Sequence, residues 1–405
     1  MSTMVAAPAA ETAAKPFDVL VLGLGYVGLP IAIMLASSGL RAAGFDVDRR
    51  KMDMLGNGKC HIDEPEFLAI FDDVIQNKDM RFLDAVAPSD AFLIAVPTPL
   101  REQRKTADLT ALTAALESIV PHLRKGNLVV INSTCPVMTC RETAIPILEK
   151  SGLKVDEDFH LAYCPERLYP GNIAYEIVNN EHIIGGHNAE ATTRAAALYK
   201  GFVKGELVLT DDVTAEFCKL IENTYRDVNI ALANELRTVA HRFGTDIDNA
   251  IDIANRHPRV NLLKPGIGVG GHCLPIDPWF IVEMAPEETR LIPEARRIND
   301  EQPKRIAAEV RRAVAAKRDA VIGCYGVTYK PDVNDERESP AWEIVHLLQA
   351  DGYNVQVYDP VVNVGDYADL TDFVAKVDIL VVLVEHTQFT RAFAQGIGDK
   401  PVLRF

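Results

Sequence analysis

The sequence predicts an α/β protein: two Rossmann-like domains, each a doubly wound parallel sheet, joined by a central domain built around a long helix. Three observations predict it. Residues 17–46 read as strand, glycine-rich turn, apolar helix, strand and acidic tip. Residues 210–243 carry apolar side chains at intervals of three and four, the period of a helix face. Residues 320–384 repeat the opening alternation in degraded form.

In chain order, residues 1–15 are Ala-rich, without a basic segment or an apolar one, and read as a loose, disordered tail. The first domain is expected over 16–205. Phe17 to Leu22 is an aliphatic strand, followed at once by Gly23-Leu24-Gly25-Tyr26-Val27-Gly28 and an apolar helix to Ser38. The spacing has a mechanical reason. The first Gly permits the turn, the second lets backbone approach a pyrophosphate, and the third lets helix and strand pack closely. A second strand, Arg41 to Phe45, ends at Asp46, where a carboxylate can hydrogen-bond ribose hydroxyls and repel a 2′-phosphate. That favours NAD over NADP. Two continuous apolar strands follow, Ala91 to Val96 and Leu128 to Ile131, as a sheet covered on both faces requires. They lead into Thr98 and Thr134, at the strand ends where ligands of such sheets sit. His160 to Cys164 is a further strand entering Pro165-Glu166-Arg167, and Ile183-Ile184 and Leu207 to Leu209 read as late strands.

The central domain is expected over 206–305. Thr210-Asp211-Asp212 caps a helix that Gly244 stops, about 45 Å long at 1.5 Å per residue and able to bridge domains. Phe217, Leu220, Tyr225, Val228, Leu232, Leu236, Val239 and Phe243 form its apolar stripe. Off that stripe, Lys219, Asn223 and Arg226 fall within about 60° of one another at 100° per residue. A second helix is expected from Glu301 to Ala316. The last domain, 306–405, begins with Ala320 to Gly326 and has helix 341–350 and strands near 355–359 and 378–384. It lacks GxGxxG. Its first strand instead enters Tyr329-Lys330-Pro331-Asp332 and Asp335 to Ser339, where Lys330 and Arg337 suit a phosphate ligand other than the first dinucleotide.

Composition limits the chemistry. A formal charge of −15 argues against a nucleic-acid or anionic-membrane binder, so any anionic ligand must meet local basic residues. Seven Cys with no CxxC pair suit a reducing cytoplasm and give no metal pattern. One cysteine stands out: Cys273, in Gly266-Ile267-Gly268-Val269-Gly270-Gly271-His272-Cys273-Leu274-Pro275-Ile276-Asp277-Pro278. A lone cysteine in a glycine-rich turn is ordinarily an inert buried thiol. Here a nucleotide site, a lysine, an amide and two carboxylates accompany it. Oxidising an alcohol to an aldehyde needs only hydride transfer and a proton acceptor, so a nucleophilic thiol suggests further oxidation. A thiolate that adds to the aldehyde gives a thiohemiacetal; loss of a second hydride gives a thioester, which water releases as an acid. That scheme uses Cys273 as nucleophile, Lys219 and Asn223 for the alkoxide and oxyanion, and Asp277 and Glu166 to orient or activate water. A free thiol has a pKa of about 8.5, so a nearby cation would help supply thiolate.

From about Asp18 to Phe389 the chain resembles the nucleotide-sugar 6-dehydrogenases, the UDP-glucose/GDP-mannose dehydrogenase family. The resemblance is carried by Gly23 to Pro30, Val96-Pro97-Thr98-Pro99, Ser133-Thr134, Pro165-Glu166-Arg167, Lys219 with Asn223 and Tyr225-Arg226, Asn255 to Asn261, Gly270 to Cys273, and Tyr329-Lys330-Pro331 with Arg337 to Pro340. It implies the same roles for Cys273, Lys219, Asn223, Asp277 and Glu166. It also implies NAD contacts from Gly23, Gly25, Tyr26, Val27, Gly28, Asp46, Lys51, Thr98 and Thr134. A UDP-sugar would meet Arg167, Leu168, Lys219, Asn223, Arg226, His257, Arg259, Gly270, Tyr329, Lys330 and Arg337. The resemblance further implies a cytoplasmic homodimer formed through the central helix, with Arg259 reaching the partner subunit.

Two departures separate the chain from the UDP-glucose branch: Ile276 stands where that branch resembles lysine, and Pro170 where it carries a second glutamate. Pro-Glu-Arg, Asn-Arg-His-Pro-Arg-Val-Asn and Gly-Gly-His-Cys resemble the N-acetylhexosamine branch, which implies UDP-N-acetyl-D-mannosamine as substrate, with UDP-N-acetylglucosamine or UDP-glucose as alternatives. A two-electron hydroxy-acid dehydrogenase would also have a Rossmann domain and a helical domain, but no use for Cys273 or a second Rossmann-like unit. A non-catalytic dinucleotide sensor is the rival from another class, and the set Lys219, Asn223, Cys273 and Asp277 argues against it.

Overall fold

The computed structural model describes residues 16–168, 171–317, 319–396 and 400–405; the expected tail and Pro170 lie outside the described residues. The first domain is organised by β1 (Phe17–Leu22), β2 (Ala42–Phe45), β3 (Met80–Phe82) and β4 (Ser89–Ile94). After a small antiparallel hairpin of β5 (Leu100–Arg101) and β6 (Thr106–Ala107) come β7 (Leu128–Ile131), β8 (His160–Tyr163), β9 (His182–Gly186) and β10 (Leu207–Asp211). The eight-stranded sheet runs in the order β10-β9-β8-β7-β4-β1-β2-β3, the doubly wound order extended by two strands. Its neighbours pair parallel except β8 with β9, where the chain turns back. The expected doubly wound parallel sheet is thus observed, with one antiparallel junction. β10 pairs with β9 as the outermost strand, so this domain reaches Asp211 and not only the expected 205.

The unbroken apolar strands are explained by burial on both faces. Val19 and Val21 pack with Ile31 and Leu35 of the helix Gly28–Ser37, while Leu20 and Leu22 pack with Leu112, Leu116 and Leu148 on the other side. Complete burial of each such side chain stabilises the fold by about 1.5–3 kcal/mol.

The long helix spans Asp212–Phe243. The Asp211 carboxylate accepts the Thr214 N–H at 2.9 Å, and Gly244, at φ +66°, ends the helix in the left-handed region a glycine takes without strain. Leu220 and Val228 pack within the chain, but most of its apolar stripe does not. Phe217, Tyr225, Leu232, Val239 and Phe243 are 45–73 % exposed, whereas Lys219, Asn223, Asp227, Ala231 and Asn234 are buried. The buried face meets the helix Leu291–Ala313, which begins ten residues before the expected Glu301. The reason is that polar Arg296 and Asn299 share its packed face with Ala295 and Ile298. Arg296 donates to Asp227 at 2.5 Å, and Asn299 donates to Asp227 at 2.9 Å and accepts from Asn234 at 3.0 Å. Asp227, Asn234, Arg296 and Asn299 each make at least one hydrogen bond across the contact, so it holds without a continuous apolar period to announce it.

The last domain contributes β11 (Val321–Tyr325), β12 (Asn354–Tyr358), β13 (Ile379–Val382) and β14 (Val402–Arg404), parallel in the order β12-β11-β13-β14. The degraded sequence repeat is a close geometric one. β1 and β11 both enter a glycine of positive φ, Gly23 at +88° and Gly326 at +80°, and each presses on a carbonyl that follows the adjacent strand. A Cβ on Gly23 would lie 2.4 Å from Ala95 O, and one on Gly326 would lie 2.2 Å from Val384 O. The next N–H then donates to the acidic tip of the second strand, Leu24 to Asp46 at 2.8 Å and Val327 to Asp359 at 2.7 Å.

Candidate active site

The thiol loop is set by what approaches it. The Gly266 N–H donates to Asn234 at 2.9 Å and its carbonyl accepts from Gln302 at 2.9 Å, which ties the start of the loop to both central helices. A Cβ on Gly270 would lie 2.5 Å from the Glu338 carbonyl, and one on Gly271, at φ +84°, would lie 3.1 Å from the Tyr329 ring. These two glycines thus let the last domain close onto the loop. After the thiol, the Cys273 carbonyl accepts the N–H groups of Ile276 at 3.0 Å and Asp277 at 2.9 Å, so the loop turns directly into the helix Asp277–Met284. Pro278 occupies its first turn, where a missing N–H costs nothing.

Lys219 and Asn223, one turn apart on the buried face of the long helix, meet this loop. Asn223 Nδ2 donates to Asp277 Oδ2 at 2.5 Å. Asp277 is 2 % exposed, and burial raises its carboxyl to about 6 against the opposing pull of Lys219 and the Asn223 bond. Crowding by protein atoms raises the Cys273 thiol, as does the Asp277 charge; Lys219 and Arg226 oppose that rise. Glu166 is buried and raised by burial, with His182, the Arg167 N–H, Lys219 and the Arg167 side chain acting against it. Lys219 is therefore the cation common to Cys273, Asp277 and Glu166. Arg226 is exposed at the rim, so the helical-wheel grouping places it beside the thiol but outside the buried pair.

On the other side lies the glycine-rich turn. A Cβ on Gly28 would sit 1.8 Å from Gly23 O, which fixes the close packing of strand and helix. One on Gly25 would meet nothing within 4 Å, leaving backbone open at the helix N-terminus, as a pyrophosphate requires. Asp46 holds its position by accepting the N–H groups of Leu24 at 2.8 Å and Asp48 at 2.9 Å and the Lys51 ammonium at 2.7 Å. Burial alone would raise its carboxyl, and these bonds hold it below the ordinary value. Thr98 donates to the Thr134 carbonyl at 2.5 Å, so two residues from different strand ends share one rim. An open glycine, a helix N-terminus and an anchored acidic tip fit a dinucleotide.

The remaining expected residues divide. Tyr329 packs on Gly271 and its phenol is raised by burial, then by Asp335 and Cys273. Lys330 is lowered to about 8 by burial. Arg337, paired with Asp335 at 2.6 Å, acts electrostatically on His272, Tyr26 and Tyr329, which puts it beside the dinucleotide turn as well as the thiol loop. Arg167 is engaged by Glu222 of the long helix at 2.5 Å, and Leu168 packs on the first core. His257 and Arg259 lie on an exposed loop that docks through the Asn261 carbonyl onto Asn229 at 2.9 Å, on the outer side of the long helix. No contact among the described residues joins them to Cys273. Sequence reasoning missed Glu216, one turn before Lys219. Its buried carboxylate accepts the N–H groups of Met138 at 2.6 Å and Cys140 at 2.8 Å, and burial raises it to about 7. The interval Glu216-x-x-Lys219 on one helix face was the available signal. A cleft of about 560 Å³ opens beside Gly271 and His272, between Leu100, Trp279 and Pro340.

The comparisons agree with this geometry along the chain. Three family models match in sequence: the UDP-glucose/GDP-mannose dehydrogenase NAD binding domain at residues 17–203, its central domain at 213–301 and its UDP binding domain at 323–403. The chain belongs to the UDP-glucose/GDP-mannose dehydrogenase family. It is an NAD-dependent nucleotide-sugar dehydrogenase. Among curated relatives, an NDP-N-acetyl-D-galactosaminuronic acid dehydrogenase of Ralstonia solanacearum is 40 % identical over 95 % of this chain and 94 % of its own. The UDP-N-acetyl-D-mannosamine dehydrogenase of Escherichia coli K12 is 40 % identical over 91 % of this chain and 93 % of its own. The solved UDP-D-ManNAc dehydrogenase of Pyrococcus horikoshii superposes with a TM-score of 0.90 at 39 % identity, covering 95 % of this chain and 94 % of that one. Among the described residues no helix of this dehydrogenase is long and apolar enough to cross a membrane.

Proposed function

We propose that this dehydrogenase oxidises the C6 alcohol of UDP-N-acetyl-D-mannosamine to the carboxylate in two successive two-electron steps, with Cys273 carrying the intermediate. The observation that supports it most is the convergence on Lys219 of a thiol and two buried carboxylates that burial raises and the lysine draws back down. When bound, NAD supplies the hydride acceptor for each oxidation. Lys219 and Asn223 stabilise the alkoxide of the first step. The Cys273 thiolate then adds to the aldehyde carbon, forming the C–S bond of a thiohemiacetal whose oxyanion the same two donors hold. Loss of hydride leaves a thioester. Asp277 and Glu166 orient and deprotonate the water that breaks the C–S bond, returning the thiol. The balance is one alcohol, one water and two NAD giving one carboxylate, two NADH and three protons.

On this reading Thr98 and Thr134 border the nicotinamide end of NAD, and Tyr329, Lys330, Arg167 and Leu168 border the UDP-sugar. The exposed stripe of the long helix forms a homodimer face in a cytoplasmic enzyme, and His257 and Arg259 beside that stripe act on the partner's substrate. A second reading, UDP-N-acetyl-D-galactosamine as substrate, is favoured by relatives named for the galactosaminuronic product at the same 40 % identity. NADH formed per sugar consumed tests both when UDP-N-acetylmannosamine, UDP-N-acetylgalactosamine, UDP-N-acetylglucosamine and UDP-glucose are supplied separately. Two NADH per UDP-N-acetylmannosamine is the expected result. Two on another sugar corrects the substrate, one NADH removes the thioester, and none on any sugar moves the sensor reading forward.

A further inference from the structure

His386 has no part in the chemistry above, yet it is completely buried and uses both ring nitrogens. The Asp332 N–H lies 2.9 Å from Nδ1, and Nε2 lies 3.0 Å from Asp359 Oδ2. A backbone N–H can only donate, so Nδ1 accepts and the proton sits on Nε2, which donates to the carboxylate. Asp359 Oδ2 also accepts the N–H groups of Val327 at 2.7 Å and Thr328 at 3.3 Å. Between these ends, Thr328 Oγ1 donates to the Lys330 carbonyl at 2.8 Å, and Ser339 Oγ donates to the Thr328 carbonyl at 3.0 Å. The turn 327–332 is thus pinned at its start by Asp359 and at its end by His386, and the His386–Asp359 bond joins the two. Its last residue needs holding. Asp332 sits at φ +60°, the left-handed region that disfavours a non-glycine residue.

The position of His386 gains meaning from the internal repeat. Asp359 is the counterpart of Asp46: each ends the second strand of its unit and accepts the N–H that follows the first glycine. At Asp46 the same oxygen also accepts the Lys51 ammonium at 2.7 Å, and the side chain is 9 % exposed. At Asp359 an imidazole takes the oxygen that Lys51 takes at Asp46, and the carboxylate is wholly buried.

We infer that His386 is a positioning residue for the UDP end of the substrate site: by accepting the Asp332 N–H it sets the end of the turn carrying Tyr329 and Lys330. The inference rests on the reading of Tyr329 and Lys330 as substrate-binding residues. Two substitutions separate the two hydrogen bonds. His386→Gln keeps a donor near Nε2 and removes the acceptor for Asp332, whereas His386→Asn keeps an acceptor near Nδ1 and removes the donor to Asp359. UDP and NAD are titrated separately into each purified full-length variant by calorimetry, with thermal melting as the check on folding. Loss of the Asp332 bond is expected to raise the UDP Kd of His386→Gln about fivefold, the value of one net hydrogen bond. The NAD Kd should stay within about twofold, and His386→Asn should return UDP binding to within about twofold of wild type. An unchanged UDP Kd in His386→Gln overturns the inference, and so does a parallel loss of NAD binding or an equal loss in His386→Asn. If His386→Gln does not fold, Thr387→Ala takes its place. It removes the hydroxyl bond to the Asp332 carboxylate, at 2.5 Å on the exposed side of the same turn end, and should weaken UDP about two- to threefold with NAD unaffected. Unaltered UDP binding by that variant likewise refutes the assignment. Failure of the wild-type enzyme to bind UDP would overturn the underlying reading of the site, whereas normal wild-type binding with an unaffected variant removes only the role of His386.

Discussion

Replacing Asn223 with Ala isolates one bond at the centre of the site. Asn223 Nδ2 lies 2.5 Å from Asp277 Oδ2, and the carboxylate it supports is buried and stands at about 6. A hydrogen bond to a charged group contributes about 1.5–3 kcal/mol, and about 1.4 kcal/mol corresponds to one pH unit of titration. Asn223 donates to the ionised form, so its removal favours the protonated acid and moves the titration upward. The acidic limb of kcat against pH should therefore shift alkaline by about one to two pH units, from near 6. The assay is steady-state NADH production at saturating NAD and UDP-sugar from pH 5 to 9. The absolute rate will also fall, because Asn223 faces the oxyanion, but the midpoint of the limb is a separate readout. A limb that stays near pH 6 while the rate drops would show that the bond does not support an ionised Asp277 during turnover, and the assignment of Asp277 as the water-orienting group would fail with it.

Other consequences follow from the same groups. Asp277 has a folded-state pKa above its unfolded value of 3.8, so its burial destabilises the fold once it ionises: the penalty is absent below about 4 and complete above about 6. Asp277→Asn should therefore be inactive but more stable at pH 7 by roughly 3 kcal/mol, and no more stable at pH 4, by denaturant titration at both pH values. A destabilised Asp277→Asn at pH 7 would contradict this. Cys273→Ala should abolish acid formation while leaving the NAD Kd within about twofold of wild type, since no dinucleotide contact is assigned to the thiol. Normal acid yield would sink the covalent scheme. If the exposed stripe forms the proposed dimer face, Leu232→Glu with Val239→Glu should convert the dimer into a monomer in sedimentation velocity, because two unpaired charges would be buried against a second copy. Dimers that persist would place the interface elsewhere.

How much could be read from residues alone varies along the chain. The strand, the three glycines and Asp46 are a local pattern whose spacing is set by a tight turn and a ligand, so their geometry follows from their order. The long helix is equally local, with an acidic cap at Asp211 and a glycine stop at Gly244. Cys273 and Asp277 lie four residues apart where a loop becomes a helix, and that interval alone places both at one helix N-terminus.

The orientation of the long helix was not legible. Periodicity marks an apolar stripe but not which surface it meets, and here most of the stripe, from Phe217 to Phe243, faces outward while Lys219, Asn223, Asp227 and Asn234 are buried. Only the packed neighbours decide that, because a polar face is buried without loss when each group finds a partner. The same masking hid the first ten residues of the helix Leu291–Ala313, where Arg296 and Asn299 lie on the packed face. The meeting of Thr98 with Thr134 depends on β4 lying beside β7, and the role of His386 on an aspartate 27 residues away in sequence. Residue order fixes what each turn can do; long-range pairing decides which turns face one another, because hydrogen bonds between distant segments form only once the sheets have set their distance.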